Sequence, residues 1–179
     1  GELVGVIKFF AGIWLRRIRY PWSRLYRWIN RWEVEPVKLP GVGSVEDVSR
    51  CLRAVQYKPD DYRSMWDAIE DPRQVWKRKA GDCDGSSVLA AALTKALFPG
   101  TRPVLLTVVS RNFARSHTVC VYEKEGHLWE ISNWHRAAPK GPYRNKEEIA
   151  TSVAWRTRAP IVCWDVVDPE TLEQLEFHS

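Results

Sequence analysis

Four cysteines in 179 residues, none of them in a C-x-x-C pair, leave no framework for zinc held by cysteine pairs. Cys51, Cys83, Cys120 and Cys163 are scattered along the chain, and nothing in their spacing marks a small secreted scaffold. Reduced thiols in a cytoplasmic-type environment are therefore expected. The chain has no internal repeat, no low-complexity tract and no Walker-type phosphate loop, which sets aside solenoids and P-loop nucleotide chemistry. Its longest apolar run, residues 3–15 with a single Lys8, falls short of the about 20 residues that span a bilayer. That run has no basic n-region and no small-residue cleavage site, so it does not read as a signal peptide. The expected location is the cytoplasm or the interior of a macromolecular assembly. Acid is scarce at this end: residues 1–32 hold one acid, Glu2, against Lys8, Arg16, Arg17, Arg19, Arg24, Arg27 and Arg31. The formal charge of +5 is thus concentrated there, and the remainder is near neutral.

What is present describes a folded chain. An apolar fraction of 45% and a charged fraction of 27% are those of an ordinary globular protein, and the length suffices for one domain with an extension. The ten tryptophans exceed what a core needs and imply large flat contacts. Pro21 is expected to break the first helix. Beyond it, Trp22, Leu25, Tyr26, Trp28, Ile29 and Trp32 make a broad apolar face, with Arg24, Arg27 and Arg31 opposite. Two readings of this segment stand: a helix pair at a membrane interface, or an arm that docks into a protein partner through residues 3–32. The arm is the preferred one. No recognised nucleic-acid-binding motif accompanies the arginines, and a nucleic-acid partner is not expected. Residues 33–43 (EVEPVKLPGVG) read as a linker, giving an arm at 1–40 and a domain at 41–179.

Within the domain the chemistry centres on Gly81-Asp82-Cys83-Asp84-Gly85, followed by an Ala/Leu-rich segment of high helix propensity. Asp82 is a natural N-cap, so Cys83 falls in the first turn, where free N–H groups and the helix dipole favour an anion. A thiol there is expected to lean towards the thiolate, the form that attacks carbonyl carbon. A lone cysteine at a helix start is more often simply packed, so the downstream residues decide. Residues 102–111, 116–123 and 127–133 are strand-like, and Glu123-Lys124-Glu125-Gly126 reads as a hairpin turn. A hairpin centred on Glu125 places His117 opposite Asn133, with Trp129 and Ile131 on the Asn133 face. Cys83, His117 and Asn133 then form a Cys–His–Asn constellation in which the thiol attacks, the imidazole takes its proton and the amide orients the ring.

The run Asp71-Pro72-Arg73-Gln74-Val75-Trp76-Lys77-Arg78-Lys79-Ala80-Gly81-Asp82-Cys83-Asp84 resembles the nucleophile segment of the transglutaminase-like superfamily, nearest to its bacterial cysteine proteinases. The resemblance covers about residues 60–134. It implies an α+β fold, transglutaminase-like or papain-like, in which the helix bearing the Cys packs on an antiparallel sheet. Two departures stand out. The family usually carries two acids after the Cys, where this chain has Asp84 then Gly85; its third member is usually Asp, where this chain has Asn133.

The implied activity is a cysteine hydrolase, a peptidase or amidase working through a thioester, with acyl transfer to an amine open to the same machinery. Its substrate would be a protein or peptide. The Cys83 N–H is the expected oxyanion donor, with Gln74 as a weaker second. No cofactor and no metal is expected. Some relatives bind calcium, but Asp60 and Asp61 read as solvated turn acids. His135 reads as a surface-loop histidine. The rival class is a non-enzymatic structural subunit, of a virus particle for example, that keeps this fold as a scaffold and docks through its arm. Elsewhere, helices are expected from Ser44 to about Tyr57, after Asp71-Pro72, over 146–151 and over 169–177, with a strand over 161–167.

Overall fold

In the computed structural model, residues 2–58 and 68–179 are described, with the backbone alone for residues 2–4. The Pro59-Asp60-Asp61 turn lies outside them. The architecture is α+β. Helix α1 (Glu2–Ile13) runs through a π-helical segment (Trp14–Arg19) into α2 (Tyr20–Val34). Then come α3 (Val45–Arg53), β1 (Gln56–Tyr57), α4 (Pro72–Arg78), β2 (Ala80–Gly81), α5 (Cys83–Leu97), β3 (Val104–Ser110), β4 (His117–Lys124) and β5 (His127–Ile131). The chain closes with β6 (Lys140–Tyr143), α6 (Lys146–Thr157), β7 (Ile161–Val167) and β8 (Gln174–His178). Six strands form one antiparallel sheet in the order β6-β5-β4-β3-β7-β8.

Strand alternation divides the core in two. Leu105, Val109, Cys120, Tyr122, Ile131 and Cys163 face α5, whose Leu89, Ala90 and Leu93 are buried against them. Leu106, Val108, Val119, Val121 and Val166 face the other way and are covered by Ile149, Ala150 and Val153 of α6. The sheet thus carries helices on both faces, one layer more than the sequence reading supplied. The α6 helix, expected over 146–151, runs on to Thr157; Asn145 caps its start by accepting from Glu148 N–H at 2.9 Å.

Residues 2–34 turn their inner face to this body. Ala11, Leu15, Tyr20 and Val34 are buried, and the Arg27 guanidinium donates to the carbonyls of Ile69, Glu70 and Pro169. Pro21 does not break the helix as expected. The π-helical segment ends just before it, with Tyr20 N–H donating to Leu15 O, and the proline falls in the first turn of α2, where a missing N–H costs least. The C-terminal helix expected over 169–177 is absent. Asp168 Oδ1 instead accepts from the N–H groups of Glu170 and Thr171 at 2.8 and 2.9 Å, a turn that launches edge strand β8. All four cysteines are free thiols. No helix among the described residues is long and apolar enough to cross a membrane.

Candidate active site

The site is built at the start of α5. Asp82 is its N-cap and accepts from Gly85 N–H at 2.7 Å, so Cys83 is the first helical residue, as expected. The glycines on either side have a packing reason. A Cβ on Gly81 would lie 3.3 Å from Val75 Cγ1, and one on Gly85 would lie 3.2 Å from Val75 Cγ2. Gly85 lets α4 seat Val75 against the first turn of α5. Upstream, β1 and β2 pair in parallel, with Gln56 N–H donating to Lys79 O and Lys58 N–H to Gly81 O, which ties the approach to Cys83 to the end of α3.

The α5 helix meets β4 at one peptide. The Thr118 N–H points to the Cys83 sulfur, and one turn further on Ser87 Oγ donates to Thr118 O at 2.9 Å. Two contacts on successive turns fix the helix start against the strand beside His117. The thiol is half-buried, and its remaining contact is Asp84 Oδ1 at 4.0 Å. Asp84 in turn pairs with Arg19 of the π-helical segment, both side chains being buried. Burial, with Asp84 and Asp82 adding to it, pushes the thiol well above its ordinary pKa; the Thr118 N–H and Arg19 pull the other way and do not prevail. The expectation of a thiolate favoured by the helix start is therefore corrected for this resting state. Burial of the sulfur, reinforced by the two carboxylates beside it, outweighs the help of the helix start.

His117 opens β4, opposite Val108. Its ring is almost fully buried and lies flat on Trp134, centroids 3.5 Å apart and planes within 10°. Nε2 is 3.4 Å from Ser132 Oγ. Behind Trp134 stands the Arg156 guanidinium, 5.3 Å from that ring and held by a buried ion pair to Glu130 at 2.5 Å. Burial lowers the His117 pKa to about 3; Asp84 opposes the shift and Arg156 reinforces it. The imidazole is neutral at ordinary pH, able to accept a proton but poorly placed to keep it.

The hairpin register differs from the expected one by a residue. Cys120 pairs with Ile131, Tyr122 with Trp129 and Lys124 with His127, and the ladder ends at Ile131. Continued, this register sets Trp134 opposite His117, which is the stack observed. Trp129 lies with Tyr122 on the α5 face, while strand alternation puts His117 with Val119 and Val121 on the α6 face. The Gly at 126 carries the reason: Glu125 (φ 54) and Gly126 (φ 75) form a two-residue turn, so the hairpin is centred between them rather than on Glu125. No hydrogen bond joins His117 to Asn133 or to Cys83. Asn133 follows Ser132 directly, and its Oδ1 is buried with no partner. Ser132, Trp134 and Arg156 were missed by sequence reasoning. Only the correct turn centre would have indicated Trp134.

Gln74, the expected second oxyanion donor, is buried on α4, where its Nε2 donates to Tyr26 Oη at 3.2 Å. His135 is exposed in a short turn, as a loop histidine should be. Among the described residues, no group of three or more His, Cys, Asp or Glu is arranged to hold a metal ion.

No family model matches the chain, and a search of curated proteins finds no match. Among solved structures it is similar to Legionella pneumophila LapG, over 63% of this chain and 76% of that one, at 13% identity and a TM-score of 0.40.

Proposed function

We propose that this chain is a cysteine hydrolase acting on an amide bond, with Cys83 as nucleophile, His117 as base and Asn133 as the group that orients the working imidazole. The observation that carries this reading is the buried Asn133 Oδ1, an acceptor without a donor, one residue from the serine that now holds a neutral His117. Buried acceptors are almost always paired, and an orphan at such a place is a site waiting for a donor. To meet that acceptor and the thiol, the His117 ring would have to leave Ser132 and its stack on Trp134 and cross from the α6 side to the α5 side of the strand end, where one ring nitrogen would donate to Asn133 and the other would face Cys83. Cys83 is already seated against the adjacent peptide.

The chemistry then balances without a cofactor. The thiol proton passes to the imidazole as sulfur bonds to the carbonyl carbon, and the imidazolium returns a proton to the departing amine, leaving a thioester. Water attacks the thioester by the same base, releasing a carboxylic acid and restoring the thiol. The Cys83 N–H, free in the first helical turn, is the donor for the oxyanion.

A second reading, a scaffold without activity that serves an assembly, is favoured by one observation: the resting thiol contacts Asp84, itself bound to Arg19, and not a base. The two separate on labelling with iodoacetamide at neutral pH. Hydrolase function expects labelling at Cys83 that is abolished in Cys83→Ala and falls strongly in His117→Ala. Asn133→Ala should lose about tenfold to a hundredfold, as a positioning contact does. Ser132→Ala should keep the rate or raise it, because it frees the ring. Equal labelling of the wild type and His117→Ala would overturn the proposal and leave the scaffold.

A further inference from the structure

The outer face of the N-terminal helix carries one apolar row on α1 and another on α2, with Ile18 exposed between them. On α1, Val6, Phe9, Phe10 and Ile13 are exposed by 49, 64, 62 and 39%; on α2, Leu25, Trp28, Ile29 and Trp32 by 46, 61, 54 and 66%. Each set has the i, i+3, i+4, i+7 spacing of a single helical row. In an uninterrupted α-helix the second row would lie about 100° round from the first. The π-helical segment between them uses about one residue more per turn, which removes about 100° of that offset. The irregularity at Trp14–Arg19 therefore brings the two rows into one stripe about 40 Å long, the rise of the helix from Val6 to Trp32.

The stripe's charge has one sign. No Asp or Glu occurs from residue 3 to residue 32. Arg17, Arg24 and Arg31 recur every seven residues along one edge of the row, and Arg31 lies 4.6 Å from the centroids of both Trp28 and Trp32. The cations with buried ion-pair or carbonyl work, Arg19 and Arg27, point inward instead. The inner face is already satisfied by this chain's own core, so the helix lies on the body with its greasy side outward.

We infer that this stripe is a binding surface for an anionic phospholipid bilayer, on which the helix lies flat. A straight, narrow row suits a plane better than a pocketed protein face. Aromatic side chains at both ends enter the interfacial layer, and arginines at the edge meet lipid phosphates while their stems remain apolar. The inference does not depend on the Cys83 chemistry; it would place whatever that site does at a membrane surface.

The test is sedimentation of the full chain with vesicles of phosphatidylcholine alone and of phosphatidylcholine with phosphatidylserine, with tryptophan emission read in parallel. Binding to the anionic vesicles, a blue shift and loss of both at high salt are expected. Each exposed arginine is worth about fivefold in partition, so Arg17→Gln with Arg24→Gln should weaken binding about 25-fold. Phe9→Ser with Trp28→Ser should abolish it. Both double variants alter only outward side chains, and an unchanged far-ultraviolet spectrum checks their fold. No partition to anionic vesicles, or partition indifferent to both variants, overturns the inference. Self-association through the stripe without lipid binding would also overturn it and assign the surface to a second copy.

Discussion

Replacing His117 by Gln should flatten the acid limb of this protein's stability curve, and the size of the effect follows from where the ring sits. The imidazole is buried between Trp134 and β4 with Arg156 behind it, and its pKa falls from 6.5 to about 3. The sign is fixed by linkage: between those two values the unfolded chain binds a proton that the folded chain refuses, so stability is lost as pH falls through that window. From about pH 7 to about pH 5 the wild type should lose about 2 kcal/mol on this account alone. Other groups act in both proteins. Burial raises the pKa of Asp165 and Glu130, which opposes acid loss, but they contribute equally to the variant and cancel in the difference. The assay is urea unfolding of both proteins at the two pH values, comparing the change in each. A Gln variant with the same pH dependence as the wild type would refute the claim that His117 is held neutral, and with it the description of the resting site.

Three further outcomes follow from the same contacts. The labelling rate of Cys83 should climb on the alkaline side of the ordinary thiol range, and Asp84→Asn should move the curve to lower pH by removing the nearest negative charge, as a rate-against-pH series would read. Arg19→Met should destabilise by about 3–5 kcal/mol in denaturant titration, because it leaves the Asp84 carboxylate buried without its partner. Deleting residues 1–40 strips partners from both Asp84 and Asp165, which receives the Tyr20 hydroxyl. Loss of the cooperative unfolding transition is therefore expected, and a truncated protein that melts like the full chain would show that the helix is a separable arm.

Local chemistry was legible in the sequence wherever one or two neighbours decide the outcome. The Asp82 cap, Cys83 as the first helical residue, the Asp71-Pro72 helix start and the strand character of β3, β4, β5 and β7 depend on propensity, capping and alternation, all short-range. What failed was whatever a distant partner settles. A one-residue change in the hairpin centre moves every cross-strand pair, and so exchanged Asn133 for Trp134 opposite His117. The charge state of Cys83 depends on burial and on Asp84, which Arg19 of the N-terminal helix pairs, and no local pattern announces either. Pro21 looked like a stop because the sequence shows the missing N–H but not the π-helical segment that precedes it. Residues 2–34 looked like an extension because their composition is apolar on two sides; only packing shows which side the core took. Sequence alone placed the candidate groups Cys83 and His117 at a helix start and a strand start. Tertiary structure decided which of them touch, because hydrogen bonds and ion pairs across the sheet are set by register and by which face each element covers, and those are properties of the whole fold.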